Sequence, residues 1–147
     1  MTAPALTLEP LRWWQLPAVT TIEAELFADE SPWTEAMFWS ELAQQHYYLA
    51  CSDGPTVVGY AGLASYPDEA QVQTIAVAPK YQGRGVGRRL LTALLTAAGP
   101  RRVLLEVRTT NEPALTLYKS MGFQQIGIRR GYYQPSGADA YTMERRV

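Results

Sequence analysis

The spacing of hydrophobic and polar positions changes repeatedly along the chain. Residues 5–12 alternate and predict a first strand. Over residues 17–28, Val19, Ile22, Ala24, Leu26 and Phe27 form the apolar side of a helix, which Asp29-Glu30-Ser31-Pro32 breaks. Residues 34–43 predict a second helix, with Met37, Phe38, Trp39 and Leu42 at helical spacing and Thr34 placed to cap it. Residues 46–52, 56–65 and 70–78 read as three strands, separated by the turns Asp53-Gly54-Pro55 and Tyr66-Pro67-Asp68-Glu69. A Gly-rich loop fills residues 80–85. Residues 87–98 form the strongest helix, because Leu90, Leu91, Leu94 and Leu95 make one stripe and Gly99-Pro100 stops it. Residues 102–107 predict a buried strand. Asn111 caps or precedes a short helix over 112–121, ended by Gly122, and strands at 123–130 and 139–145 flank a Tyr-rich loop. The order β-α-α-β-β-β-α-β-α-β-β predicts an α/β (α+β) fold with a mixed sheet, not a uniform βαβ repeat.

The length of 147 residues predicts one domain over 1–147. An apolar share of 47% against 18% charged residues is a globular balance rather than a disordered one. The net charge of −1 argues against a protein held to nucleic acid by overall positive charge. That charge is a cancellation: residues 1–75 hold Arg12 and ten acids, whereas residues 76–147 hold twelve basic residues and four acids. A segregated field of this kind suits an anionic ligand on one half and a cationic amine on the other.

Cys51 is the only cysteine and His46 the only histidine. No internal disulfide can form, no metal site is expected, and any His-dependent nucleophilic triad would have to run through His46. His46 is expected to be a charge partner at a helix end or a solvated residue. Cys51 is expected to pack within a strand. Trp13, Trp14 and Trp39 are core or interface candidates. The sequence begins without a basic stretch followed by an apolar run, and no apolar run approaches the ~18 residues of a membrane span. The expectation is a cytoplasmic protein.

The most informative segment runs from Ile75, Ala76 and Val77 through Pro79 to Gln82-Gly83-Arg84-Gly85-Val86-Gly87-Arg88-Arg89. It is a strand, a Gly-rich turn and a helix start. Such a junction directs unpaired backbone N–H groups and the positive helix end at one spot, which suits a phosphate or pyrophosphate. The glycine spacing differs from the dinucleotide fingerprint, and the Gly-Lys-Ser/Thr of a P-loop is absent. A plain helix-entry turn also accounts for the glycines taken alone.

Gln82-x-x-Gly85-x-Gly87 after an Ala-Val-x-Pro strand end resembles the coenzyme A motif of the GNAT acetyltransferase superfamily. Leu105-Glu106-Val107-Arg108, Asn111, Ala114, Leu117-Tyr118 and Met121-Gly122-Phe123 match the second half of that fold, so the resemblance covers almost the whole chain. Ser31-Pro32-Trp33-Thr34, Leu105-Glu106-Val107-Arg108, Arg129-Arg130-Gly131-Tyr132-Tyr133 and Asp139-Ala140-Tyr141-Thr142-Met143 are similar to the bacterial ribosomal-protein alanine N-acetyltransferases, the RimI group. Thr74 departs from the Asn that many members carry before the Ile-Ala-Val strand end.

The resemblance implies a mostly antiparallel sheet flanked by helices and acetyl-CoA as donor. It places the pyrophosphate on the N–H groups of Gln82, Gly83, Arg84, Gly85, Val86 and Gly87, with Arg84, Arg88 and Arg89 supplying charge. It places the pantetheine arm along Ile75, Ala76 and Val77, an oxyanion donor near the Val77 N–H, and a cofactor contact at Asn111. Glu106 would be the base and Tyr118 the acid toward the sulfur. Glu106 lies in a Val-Leu-Leu-Glu-Val run, where burial is expected; the other reading is an acid paired with an arginine. Tyr118 could equally be a core tyrosine, and Arg88 and Arg89 a solvated helix face. Pro32, Trp33, Tyr132 and Tyr133 would line a peptide groove, or only cap the core.

The implied activity is N-α-acetylation by direct attack, with the N-terminal alanine of a small-subunit ribosomal protein as acceptor and no direct nucleic-acid or membrane partner. An α-amino group with pKa ~8 is roughly 10% neutral at pH 7, a lysine with pKa ~10.4 under ~0.1%, so a modest base suits the former. A small amine or lysine acceptor, a non-catalytic acyl-CoA-binding module, and a subunit needing a partner protein stay open.

Overall fold

The computed structural model describes residues 6–146. Seven strands, β1 (Leu6–Pro10), β2 (Tyr47–Asp53), β3 (Thr56–Ser65), β4 (Glu69–Val77), β5 (Arg102–Arg108), β6 (Gln124–Arg129) and β7 (Ala140–Arg145), form one sheet in the order β1-β2-β3-β4-β5-β7-β6. Four helices, α1 (Leu16–Leu26), α2 (Glu35–Ala43), α3 (Val86–Ala98) and α4 (Glu112–Ser120), cover its two faces. The element order is the one the sequence predicts, and the ends shift by one or two residues. Residue 5 of the predicted first strand lies outside the described residues.

Alternation along the strands feeds both faces. In β2, Leu49 and Cys51 face α3, whereas Tyr48 and Ala50 pack toward α1 and α2. Leu90, Leu91, Leu94 and Leu95 of α3 are all buried, each side chain contributing ~1.5–3 kcal/mol. β5 alternates too. Val103, Leu105 and Val107 are buried, while Leu104, Glu106 and Arg108 lie half-buried on the opposite face. The strand expected to be buried is therefore buried on one side only.

The helices on the other face are less apolar than their sequences suggest. In α1, Ala24 faces solvent and Glu23 is buried instead, since Glu23 lies one turn beyond Val19 on the inward stripe. In α2 only Phe38 is fully buried, whereas Met37 and Trp39 are exposed. Thr34 caps α2 as expected, its hydroxyl accepting from the Met37 N–H at 3.3 Å. Trp13 and Trp14 are 59% and 62% exposed, so neither belongs to the core. Cys51 is fully buried. His46 is neither free nor solvated: its Nδ1 accepts from the Ser65 N–H at 3.3 Å and its Nε2 lies 3.6 Å from Glu41.

All strand pairs are antiparallel except β4 and β5. That parallel pairing covers only Glu69, Ala70 and Gln71 against Arg102, Val103 and Leu104. Just beyond it β4 carries a bulge: Gly62 pairs with Thr74 and Leu63 with Val72, leaving Gln73 as the extra residue. A bulge bends its strand and increases the local twist. β4 and β5 diverge from there, and the gap between them is the site.

Candidate functional site

The gap is a cleft of about 580 Å³. Gln71 to Ile75 of β4 form one side and Leu104 to Arg108 of β5 the other. Beyond Gln71, β4 is bonded to β3 on one edge only. The Ala78 N–H donates to the Val58 carbonyl at 2.8 Å, toward β3. Because an extended chain alternates, Val77 and Ile75 turn their N–H and C=O groups to the open edge. One of these groups is already engaged, since the Gln82 side-chain amide donates to the Val77 carbonyl at 3.0 Å.

The Gly-rich turn follows at the end of β4. Gly83 and Gly85 have φ of +77° and +79°, a region that L side chains avoid, and nothing lies within 4 Å of where a Cβ would sit on either. Gly85 is the N-cap of α3 and supplies no side-chain cap. The first-turn N–H groups of α3 lack intrahelical acceptors, and those of Gly83 to Gly85 find none among the described residues. Converging donors, an open turn and the positive end of a thirteen-residue helix suit a phosphate group. The Gln82 N–H differs from its neighbours, because it donates to the Pro79 carbonyl at 3.3 Å.

The three arginines divide. Arg84 lies over the Tyr81 ring at 5.1 Å, within the turn itself. Arg88 bonds Ser120 Oγ at 2.9 Å and Met121 Sδ at 3.2 Å, tying α3 to the end of α4. Arg89 reaches the Leu6 carbonyl at 3.3 Å. Arg84 is thus the guanidinium best placed at the turn.

Glu106, Asn111 and Tyr118 all line the cleft. Alternation along β5 aims Glu106 into it, and its side chain is 23% exposed. Its Oε2 accepts from the Thr142 hydroxyl at 2.5 Å, and its Oε1 lies 3.7 Å from Arg129 Nε. Glu106 thus faces the cleft and neighbours an arginine. Asn111 caps α4, its Oδ1 accepting from the Ala114 N–H at 3.3 Å. That bond leaves the amide NH₂ for other partners. Tyr118 is 5% exposed, its ring 5.7 Å from that of Phe123 and inclined at 60° to it. Burial pushes its phenol above the ordinary value, so it keeps its proton.

Two loops close over this side. The α1–α2 loop brings Trp33, and the β6–β7 loop brings Tyr132 and Tyr133, whose rings meet edge-on at 5.0 Å. Pro32 is half-buried beside Trp33 without lining the cleft. The loops are fastened together: the Ser31 hydroxyl donates to the Gln134 carbonyl at 2.5 Å, and the Ser136 N–H to the Asp29 carbonyl at 3.2 Å. Arg108 Nη1 holds the first loop to β5 through Asp29 at 3.1 Å and Glu30 at 2.8 Å.

A family model described as Acetyltransferase (GNAT) family matches residues 8–123. The chain belongs to that family. GNAT enzymes take acetyl-CoA as donor, and the edge of β4 with the turn at residues 83–88 offers what an amide-bearing arm and its phosphates require. Over 129 residues the chain is 54% identical to N-alpha-acetyltransferase RimI of Mycobacterium tuberculosis, spanning 84% of this chain and 82% of that protein. Over 130 residues it is 36% identical to the [ribosomal protein bS18]-alanine N-acetyltransferase of Escherichia coli K12, spanning 86% of each. The crystal structure of the ribosomal-protein-S18-alanine N-acetyltransferase from Escherichia coli superposes with a TM-score of 0.83 at 33% identity, covering 96% of this chain and 93% of that one. This GNAT protein is an N-acetyltransferase using acetyl-CoA. Among the described residues no helix is long and apolar enough to cross a membrane.

Sequence reasoning passed over Glu23 and the role of Thr142, which both bear on this GNAT site. A count of four from Val19 would have put Glu23 on the inward stripe. The pairing of Thr142 with Glu106 depends on strand register, which no local pattern encodes.

Proposed function

We propose that this chain acetylates the α-amino group of a protein N-terminus, the acceptor being the N-terminal alanine of a small-subunit ribosomal protein. The observation that carries this reading is the pair of hydrogen bonds joining the α1–α2 and β6–β7 loops, Ser31 to Gln134 and Ser136 to Asp29. A lysine side chain within a polypeptide must carry flanking chain past that contact on both sides. A terminus carries chain on one side only. The names of the relatives, N-alpha-acetyltransferase RimI and bS18-alanine N-acetyltransferase, support the same acceptor.

Bound acetyl-CoA supplies an acetyl group activated as a thioester. The N–H groups of Gly83 to Arg88 hold its phosphates, Arg84 adds charge, and the Asn111 amide and the β4 edge at Ile75, Ala76 and Val77 hold its arm. The Val77 N–H donates to the carbonyl oxygen as charge develops there. Trp33, Tyr132 and Tyr133 hold the acceptor. A Glu106 carboxylate oxygen takes the acceptor amine's proton, directly or through water, while the Thr142 hydroxyl fixes its orientation. The amine nitrogen bonds to the acetyl carbon as the carbon–sulfur bond breaks; the Tyr118 hydroxyl, kept protonated by burial, gives its proton to the departing sulfur, and solvent takes the proton from Glu106 and returns one to Tyr118.

The test is to incubate the protein with acetyl-CoA and a panel of Ala-starting peptides, lysine peptides and polyamines, and to locate the acetyl group by mass spectrometry. Labelling of peptide N-termini is expected. Labelling confined to lysines or polyamines overturns the reading. Binding of CoA with no labelled acceptor points to a required partner protein or a non-catalytic module.

A further inference from the structure

Glu23 is the one buried charged side chain among the described residues, 5% exposed. Its own helix fills the equivalent inward positions with Leu16, Val19 and Ile22. A carboxylate is costly to bury unless its oxygens are bonded, and here both are. Oε1 accepts from the Tyr60 hydroxyl at 2.7 Å, and Oε2 accepts from the main-chain N–H of Trp33 at 3.1 Å. Tyr60 is fully buried in the interior strand β3, so it is a fixed point on the floor of the fold. Trp33 is the opposite kind of residue, set in a loop and lining the cleft that Glu106 also lines. Glu23 therefore ties the main chain of a cleft wall to the sheet. The start of the same loop is tied down separately, by Arg108 through Asp29 and Glu30.

We infer that Glu23 is a positioning residue for the acceptor, setting the place of Trp33 through the hydrogen bond to its main-chain N–H. The inference rests on the reading that the acceptor enters between the two loops. A bond to the backbone fixes the Trp33 ring by fixing the peptide that carries it. The donor side is built from β4 and the start of α3, which Glu23 does not touch by any of its hydrogen bonds. Loss of the Glu23 carboxylate is thus felt on one substrate and not on the other.

The test is steady-state kinetics on the full chain with an Ala-starting peptide and acetyl-CoA. Glu23→Leu keeps the approximate volume and removes both acceptors. Its KM for the peptide is expected to rise about tenfold, with kcat within about threefold and KM for acetyl-CoA unchanged. Glu23→Gln separates the hydrogen bond from the charge. Its amide oxygen accepts from the Trp33 N–H, and its amide nitrogen donates to a rotated Tyr60 hydroxyl, so peptide KM is expected to return most of the way to wild type. Wild-type peptide KM in Glu23→Leu overturns the inference. So does Glu23→Gln as impaired as Glu23→Leu, or a collapse of kcat with peptide KM unmoved, which would make Glu23 a proton-transfer group. Should Glu23→Leu not fold, Tyr60→Phe removes one of the two bonds: a rise of about threefold in peptide KM alone is expected, and none overturns the inference. A wild-type protein that labels only lysines or polyamines sinks the N-terminal reading instead, and the same variants are then measured with that amine.

Discussion

Thr142 donates its hydroxyl to Glu106 at 2.5 Å, across a register pair of β5 and β7. The bond engages Oε2 and leaves Oε1 without a hydrogen bond among the described residues, 3.7 Å from Arg129 Nε. A hydrogen bond to a charged group contributes ~1.5–3 kcal/mol. If it holds the base at the angle the reaction needs, Thr142→Val is expected to lower kcat by about tenfold without changing acetyl-CoA affinity, and Thr142→Ser to restore most of it. The proposed base and acid should cost more: Glu106→Gln and Tyr118→Phe are each expected to lower kcat by ~10²-fold or more while acetyl-CoA still binds. Stopped-time assays paired with calorimetric titration of CoA read both quantities. Wild-type turnover in Glu106→Gln or Tyr118→Phe would refute the assignment of base and acid.

Gly85 caps α3 at φ +79° with open space where a side chain would go. Gly85→Ala therefore meets no clash, and its whole effect comes from the backbone. A left-handed residue with a Cβ costs ~1–2 kcal/mol, so the turn is expected to relax and swing its N–H groups out of convergence. CoA is expected to bind about tenfold more weakly. Gly127→Ala on β6, which also meets open space but at an ordinary φ, serves as the comparison and should bind CoA as wild type does. Equal affinities in the two variants would remove the turn from the proposed phosphate site.

The strand-turn-helix at residues 75–89 was legible because its signal is local. Glycines at a helix start announce unpaired N–H groups whatever the rest of the fold does. The α3 leucine stripe was legible for the same reason. Glu106 and Tyr118 could be singled out through resemblance, but what surrounds them could not. Thr142 reaches Glu106 only through strand register, and Ser31 meets Gln134 across 103 positions of sequence. For Trp13, Trp14 and Trp39 only the core half of the core-or-interface reading fails, since all three are exposed. Trp39 beside Phe38 reads as core by hydrophobicity, yet one step along a helix turns it about 100° away, and it stacks on the exposed Trp13 at 6.2 Å.

Gly62 sits under the ring of Tyr48, where an added Cβ would lie 2.2 Å from Cζ. That ring is 3% exposed, and its hydroxyl donates at 2.5 Å to Gln73, the bulge residue at the mouth of the cleft. Gly62→Ala is expected to cost ~1–3 kcal/mol by overpacking, a fall of several degrees in Tm for a domain of this size. Because the displaced group is one ring, Tyr48→Leu in the same chain should recover part of the loss. The double-mutant cycle should then give a coupling of ~1 kcal/mol or more. Additive effects, or no loss in Gly62→Ala, would show that the ring moves freely.

Four of the nine tyrosines, Tyr48, Tyr60, Tyr118 and Tyr133, have phenols pushed well above their ordinary value, in each case chiefly by burial. Nearby carboxylates add to this at Tyr48, Tyr60 and Tyr133. A phenol ionises at ~10 in the unfolded chain and later in the folded one, so the folded state holds its proton more tightly. The stability it contributes is complete below pH ~10 and is lost as pH rises above that. With four such groups the denaturant midpoint should be level between pH 8 and ~9.5, then fall steeply. Phenolate absorbance from these four should rise only as the fold is lost. The catalytic consequence follows from Tyr118: as its proton stays on, kcat should show no alkaline fall from this group while the protein remains folded. Titration of these four phenols near pH ~10 in a folded protein would contradict both expectations.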